Sequence, residues 1–369
     1  MSDDTHFMRL ALALGRRGLG TTWPNPSVGA VVVEPETGRI LGTAATAPGG
    51  RPHGEPLALA AAGEAARGAT LYVTLEPCSH HGRTPPCTDA IVAAGIARVV
   101  SAVEDPDPRV AGRGHGLLRQ AGVTVETGLM RETAARDHVG HITRVTRGRP
   151  ALHLKLARTR DGFCASAGPE RLRITGPVAD GAVHLWRAHA DAILIGIGTA
   201  RSDDPSLTVR LPGLAARSPL RIVLDTHLRL SPASVLARTA RDTPTLVLTT
   251  RSAPAHARRA LEALGVEVAP VPADAAGGID LPAALAHLGE RGLTRLCSEG
   301  GPRLAEALAR ADLIEACTLV TGPVELGSAG GLPALGPVLA EALAGERFRE
   351  AERLRLGPDE AVTYERSRT

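Results

Sequence analysis

The chain has 369 residues, more than one ordinary core holds, so two domains are expected. It is 43% hydrophobic, carries a net charge of only +3, and has just three Phe, two Trp and two Tyr. That balance argues against a nucleic-acid surface, which needs basic charge and stacking rings, and it implies no membrane-binding face.

Residues 6–18 place Phe7, Leu10, Ala11 and Leu14 at helical spacing and predict an opening amphipathic helix. The acidic start, with Arg9 and Arg16 interrupting the apolar run, fits neither a signal peptide nor a spanning helix. A cytoplasmic protein is expected. Trp23-Pro24-Asn25-Pro26 is a stiff loop, because each proline fixes its own φ and restricts its predecessor. Residues 28–33 and 39–44 read as a hairpin, and 54–67 as an alanine-rich helix. Strands follow at 70–75 and 98–103, with a helix from Cys87 to about Ala94 between them.

The stretch from His53 to Cys87 carries the chemistry. His53, Cys78 and Cys87 offer three borderline or soft ligands, a set that suits Zn²⁺ and leaves a fourth position for water. His53 falls at a helix N-terminus with Glu55 in the first turn, placed to move protons rather than to bind metal. Cys87 falls at another helix N-terminus, where the helix dipole favours thiolate. His-x-Glu followed by Pro-Cys and a second Cys is the pattern of zinc deaminases. The competing reading is a structural zinc knot with His80 or His81 as the fourth ligand. Five scattered cysteines (78, 87, 164, 297, 317) favour metal use in a reducing compartment over disulfides.

Residues 104–114 form a loop dense in Pro and Gly, before a helix at 115–121, a strand at 123–127 and a polar helical stretch carrying Arg131, Arg136 and Arg144. Gly148-Arg149-Pro150 marks the boundary, giving domains 1–148 and 149–369. The second half alternates strands (151–157, 191–196, 220–225, 244–249, 265–270, 293–298, 314–320) with helices (177–189, 254–264, 281–291, 302–310), the pattern of an α/β domain. Residues 321–369 read as a Gly/Pro-rich loop, a charged stretch and a last strand at 361–365.

Three places in this half stand out. Lys155 ends the first strand and is the only lysine among 42 basic side chains. Gly196–Arg210 follows an apolar strand, and Glu299-Gly300-Gly301-Pro302 joins a strand to a helix, a junction ready for phosphate. Two glycine clusters at strand ends suggest a nucleotide cofactor, although neither is the Gly-x-Gly-x-x-Gly fingerprint. Arg187 and Arg210 are candidates to grip a phosphate, and Cys164 and Cys317 read as small core residues.

Leu75-Glu76-Pro77-Cys78-Ser79-His80-His81-Gly82-Arg83-Thr84-Pro85-Pro86-Cys87, with Pro24-Asn25-Pro26 before it and Asp105-Pro106 through Val110-Ala111-Gly112 after it, resembles the bifunctional riboflavin-biosynthesis deaminase–reductases. The eight residues between the cysteines separate it from cytidine and tRNA deaminases. Lys155, Asp161-Gly162, Asp203-Asp204-Pro205, Leu207–Arg210 and Glu299–Pro302 resemble the family's reductase half. The resemblance covers nearly the whole chain. It implies a cytidine-deaminase-like α/β/α sandwich followed by a dihydrofolate-reductase-like α/β domain. It also implies two steps: zinc-dependent deamination of a diaminopyrimidine ribosyl phosphate, then NADPH reduction of the ribose.

On that resemblance His53, Cys78 and Cys87 hold Zn²⁺, and Glu55 moves protons. Asn25, His80, Arg83 and Asp105 surround the first substrate. In the reductase, Arg171, Arg187, Leu207, Arg210 and Glu299 meet substrate, while Ala157, Arg173, Thr199, Asp203, Thr226, Gly300 and Gly301 meet NADPH. Lys155 lies beside the ribose. Arg171 and Arg173 stand where many members have a polar residue and a tryptophan, and Asp107 where asparagine is common. The expected partners are small molecules and a second copy of the chain, as a dimer or tetramer, with no nucleic acid and no membrane.

Overall fold

The computed structural model describes residues 4–82, 85–166, 172–327 and 331–367. It divides into two compact units, Met1–Pro150 with Gly289–Thr294, and Ala151–Leu288 with Arg295–Thr369.

The first unit runs α1 (Asp4–Arg17), β1 (Gly29–Val33), β2 (Ile40–Ala45), α2 (Gly54–Ala62), β3 (Thr70–Val73), α3 (Cys87–Ala93), β4 (Arg98–Ser101), α4 (Arg113–Gln120), β5 (Thr124–Thr127), α5 (Arg131–Asp137) and α6 (Val139–Arg147). Its sheet has the order β2-β1-β3-β4-β5. The β1–β2 hairpin and the β1–β3 pair are antiparallel, whereas β3, β4 and β5 run parallel. β1 reads Gly-Ala-Val-Val-Val and is buried at every position, as a strand covered on both faces must be. Helix α1 packs on β1, β2 and β3, while α2 packs on β1 and β2 beside α3. The α1 contact explains Gly29, where an added Cβ would stand 1.8 Å from the carbonyl oxygen of Ala11. The predicted 54–67 helix is shorter than expected. Gly63, at φ 57°, ends α2 after Ala62 and starts a separate 3₁₀ turn.

The second unit runs β6 (Ala151–Arg158), β7 (Phe163–Ser166), α7 (Pro177–Ala188), β8 (Ala192–Gly196), α8 (Ile197–Asp203), β9 (Leu220–Leu224), α9 (Val235–Arg238), β10 (Thr245–Thr249), α10 (Ala255–Glu262), β11 (Glu267–Pro270), α11 (Leu281–Glu290), β12 (Arg295–Ser298), α12 (Pro302–Arg310), β13 (Ala316–Thr321), β14 (Gly331–Pro333), α13 (Pro337–Ala344), β15 (Phe348–Leu356) and β16 (Asp359–Arg366). The large sheet has the order β11-β10-β9-β8-β12-β6-β13-β16-β15, and β7 pairs separately with β14. From β11 to β13 all neighbours are parallel, and β16 and β15 close one edge antiparallel. The chain builds outward from β8 to β11, then returns to insert β12 between β8 and β6. The strand order therefore reverses around β12, and crevices form outside the carboxyl ends of strands at such a point.

Arg221 of β9 is the largest fully buried side chain. One Nη donates to the carbonyl of Ser206 and the hydroxyl of Thr239, at 3.2 and 2.9 Å. The other donates to the carbonyls of Leu236, Thr239 and Thr243. Burial pulls its pKa down to about 10, so the cation persists at neutral pH. Arg221→Met keeps the packed stem but removes the donors to those oxygens, of which the Leu236 and Thr243 carbonyls keep the Thr245 hydroxyl, and should lower the unfolding free energy by about 3 kcal/mol. Urea unfolding followed by circular dichroism measures this. An unchanged midpoint would mean that the carbonyls find other donors.

Candidate functional site

In the first unit the three predicted ligands converge. His53 caps the start of α2, Cys87 is the first residue of α3, and Cys78 lies on the loop leaving β3. His53 Nδ1 is 3.3 Å from Cys87 Sγ and 3.6 Å from Cys78 Sγ. All three ligand atoms lie within 4.8 Å of one another. Tetrahedral zinc, with Zn–N about 2.0–2.1 Å and Zn–S about 2.3 Å, puts N and S about 3.5 Å apart. The donor set fits that metal.

The electrostatics favour one thiolate before any metal arrives. The Cys87 thiol and the backbone N–H of Cys87 (3.2 Å) both donate to Cys78, and the former is the main cause that brings Cys78 down to about 4. Cys87, as the donor and by its burial, is pushed up. Glu55 sits in the first turn of α2, 3% exposed, and its Oε2 has no hydrogen-bond partner. Burial, then the charge of Cys78, raises its carboxyl above the usual range. A buried carboxyl whose proton affinity is raised in this way is suited to take a proton and give it back.

The expected substrate residues of this unit are partly committed elsewhere. Asn25 donates to the carbonyl of Gly50 at 2.8 Å. Asp105 accepts from the Asp107 backbone at 2.9 Å and is 2.8 Å from His141 Nε2, so it shapes its loop. His80 is half-buried with Nδ1 unpartnered, and Arg83 lies outside the described residues. Spacing alone gave no reason to single out Glu76. Its buried carboxylate accepts from the backbone of Asp105 and Gly112 on one oxygen and of His115 on the other, at 3.2, 3.0 and 3.2 Å. It thereby fastens the 104–115 segment to the loop that carries Cys78. Gly114 completes this seat, since a Cβ there would stand 2.1 Å from the carbonyl oxygen of Pro77.

In the second unit an open groove of about 1100 Å³ runs along the ends of β8, β9 and β12. Gly196, Thr199, Thr226 and Gly301 line it. Gly196 and Gly301 are the N-caps of α8 and α12, and the backbone N–H of Gly301 donates to Thr199 Oγ1 at 3.2 Å, joining the two junctions. Gly196–Asp203 is therefore a strand-to-helix turn, where the sequence showed only a glycine cluster. Gly300 is buried, and Asp203 is exposed at the end of α8 with its carboxylate accepting from Ser202. Arg173 is exposed and faces Asp180 at 3.3 Å, and Arg171 lies outside the described residues.

Beside β12 is a charged cluster. Arg187 makes a two-pronged contact with Glu299, 2.6 and 2.7 Å, and donates its remaining Nη to the carbonyl of Thr208. Its fork is thus filled by protein, whereas the sequence had offered it for phosphate. Burial disfavours the Glu299 charge, but Arg187, Lys155 and His184 outweigh it and hold the carboxyl below the ordinary range. Lys155 and Ala157 are half-buried on one face of β6. Leu207 has φ 53° and is buried in the core, and Arg210 donates to Ser206 Oγ at 2.8 Å. The 206–210 segment is thus tied by Arg187, Arg210 and, through Ser206, by Arg221.

Residues 1–103 match the family described as the cytidine and deoxycytidylate deaminase zinc-binding region, and residues 150–361 match the RibD C-terminal domain. The riboflavin biosynthesis protein RibD of Escherichia coli is 40% identical over 97% of this chain and 98% of its own. That of Aquifex aeolicus is 38% identical over 98% of each. Among solved structures, Acinetobacter baumannii RibD (form 1) superposes with TM-score 0.85 at 33% identity, covering 99% of both chains. A Thermotoga maritima diaminohydroxyphosphoribosylaminopyrimidine deaminase/5-amino-6-(5-phosphoribosylamino)uracil reductase gives 0.84 at 32%, again over 99% of both. Two matched regions in this order, on a chain covered nearly end to end, mean that it belongs to the RibD family of riboflavin biosynthesis proteins, enzymes that pair a deaminase with a reductase.

Proposed function

We propose that residues 1–148 deaminate 2,5-diamino-6-ribosylamino-4(3H)-pyrimidinone 5′-phosphate with zinc, and that residues 149–369 reduce the ribosyl group of 5-amino-6-(5-phosphoribosylamino)uracil with NADPH. The convergence of His53, Cys78 and Cys87 beside the unpartnered Oε2 of Glu55 carries this reading. The three ligands would hold Zn²⁺, which supplies a Lewis acid able to make water nucleophilic near neutral pH. Glu55 would take a proton from the attacking water at Oε2 and pass it to the amino nitrogen that leaves as ammonia. His80, Asn25 and Asp105, with Arg83, would bound the pyrimidine.

In the second unit, Thr199, Thr226, Gly301 and the groove they line would hold NADPH, with Ala157, Arg173, Asp203 and Gly300 contributing. The substrate would meet Glu299, Arg187, Leu207 and Arg210, with Arg171. Lys155 would donate to the sugar oxygen or ring nitrogen as hydride reaches C1′: the hydride turns C1′–H into CH₂ as the C1′–O bond opens, and the proton stays on the heteroatom that takes up the charge. We take the protein to work in the cytoplasm as a dimer or tetramer. Among the described residues no helix is long and apolar enough to cross a membrane.

Glu55→Gln keeps the shape but cannot carry the proton, so ammonia release should fall by about 10²–10⁴ with zinc retained. Metal analysis beside an ammonia assay decides it, and loss of zinc would make Glu55 a ligand instead. For the second site, Lys155→Arg should impair NADPH oxidation strongly while ammonia release stays near wild type. Normal reduction by that variant would mean that any cation serves there.

A further inference from the structure

Helix α6 presents three polar side chains, about one turn apart, to three segments of the first unit. His138, its N-cap, has Nε2 3.0 Å from Thr74 Oγ1, which also accepts from the backbone of Gly29 at 3.1 Å, so the helix start is pinned just past the end of β3. Arg144 donates to the carbonyl of Pro24 at 3.3 Å, next to Asn25. Between them, His141 Nε2 meets Asp105 Oδ1 at 2.8 Å, each side chain only 10% exposed. A carboxylate can only accept, so Nε2 carries the proton and donates it. The other ring nitrogen, Nδ1, is buried without a partner. An apolar residue would avoid that unpaired acceptor, so the contribution of the ring lies at Nε2.

Asp105 opens a segment that returns to the metal centre. Glu76 holds both of its ends, at Asp105 and at Gly112 and His115, and Ser79, the residue after Cys78, donates to the carbonyl of Arg109 at 3.4 Å. The segment carries two buried acids, Asp105 and Asp107. Asp107 is engaged by Arg109, whose Nε lies 2.9 and 3.1 Å from its two oxygens. Asp105 is held differently. Its Oδ1 takes both the backbone N–H of Asp107, at 2.9 Å, and His141, while among the described residues Oδ2 accepts no hydrogen bond. Two donors on one oxygen fix the rotation of the carboxyl group and leave the other oxygen for a ligand. An arginine in place of His141 could engage both oxygens, as Arg187 does on Glu299.

We propose that His141 is a positioning residue for deamination: by holding Oδ1 of Asp105 it presents Oδ2 to a donor of the substrate, an amino group of the pyrimidine or a hydroxyl of the ribose. This rests on reading the first unit as a deaminase whose substrate meets Asp105. Among the described residues no hydrogen bond joins His141 to His53, Cys78, Cys87 or Glu55, so its effect falls on substrate binding and not on proton transfer.

Steady-state ammonia release by the full-length, zinc-loaded protein, with the diaminopyrimidine ribosyl phosphate as substrate, tests this. The amide nitrogen of glutamine falls where Nε2 of histidine lies, and that of asparagine where Nδ1 lies, so the two variants separate the bond to Asp105 from mere polarity. His141→Asn should raise KM about tenfold with kcat unchanged, whereas His141→Gln should keep KM within about threefold of wild type. In an Asp105→Ala background, His141→Asn should add nothing further. Both variants should keep their zinc and oxidise NADPH on the reductase substrate at the wild-type rate. A wild-type KM in His141→Asn, a fall in kcat in place of the rise in KM, or an equal loss in His141→Gln would each overturn the proposal. So would a full tenfold effect in the Asp105→Ala background. A wild-type KM in Asp105→Ala alone would instead overturn the substrate role of Asp105, and failure of the wild type to release ammonia would overturn the deaminase reading itself.

Discussion

Strands buried on both faces leave their chemistry only at their ends, and both units are built on that constraint. A covered strand such as β1 or β8 has no free face for a ligand, so polar groups gather where the chain leaves the sheet. In the first unit the loop after β3 brings Cys78 to the N-termini of α2 and α3, where His53 and Cys87 wait. In the second, β8 ends in a glycine that caps α8, and the short turn after β12 ends in one that caps α12. Helix N-termini carry partial positive charge, and the groups they meet here are thiolate in one unit and, on our reading, phosphate in the other.

Buried carboxylates then hold these ends in place, each by a different means. Glu76 is satisfied by three backbone donors, with the ring of His115 3.7 Å away. Glu299 is satisfied by the fork of Arg187. Removing a partner from a buried pair costs about 3–5 kcal/mol, because the remaining charge is left in a poor solvent. Arg187 also binds Thr208, so the pair joins the end of β12 to the segment after α8. The abundance of arginine has a structural use here, since one guanidinium can satisfy several carbonyls at once, as Arg221 does.

What the sequence shows most clearly is what chemistry restricts most. Three ligands in fixed order, with a glutamate two residues after the histidine, suit a hydrolytic zinc centre and little else, and the predicted helix starts at Gly54 and Cys87 match the observed ones. Strands β8, β9 and β10 were legible because they are buried nearly throughout and their runs are apolar, whereas the short, half-buried β7 gave no signal. Glu76 was not, since its role depends on backbone N–H groups 29 to 39 residues away. The Phe348–Leu356 stretch read only as charged, yet it is the edge strand β15, mostly exposed, where charge discourages further pairing. Helices α8, α9 and α13 are only one or two turns long and carry little periodic signal.

The single lysine can now be given a setting. β6 alternates, and His153, Lys155 and Ala157 share the half-buried face. In register, Thr318 of β13 lies beside Lys155, while Cys297 of β12 lies beside His153, two residues before Glu299. The Lys155 charge acts on Glu299 and on Cys297, whose thiol burial has already pushed up to about 12. An arginine at this position would bring a second planar fork toward a carboxylate whose two oxygens already accept from Arg187. It would compete for that bidentate geometry and release the tie to Thr208. An ammonium is a compact point charge that can favour the Glu299 anion without claiming both its oxygens, and its remaining donors stay free for a ligand. The restriction to lysine follows from the Arg187–Glu299 pair as much as from the reaction.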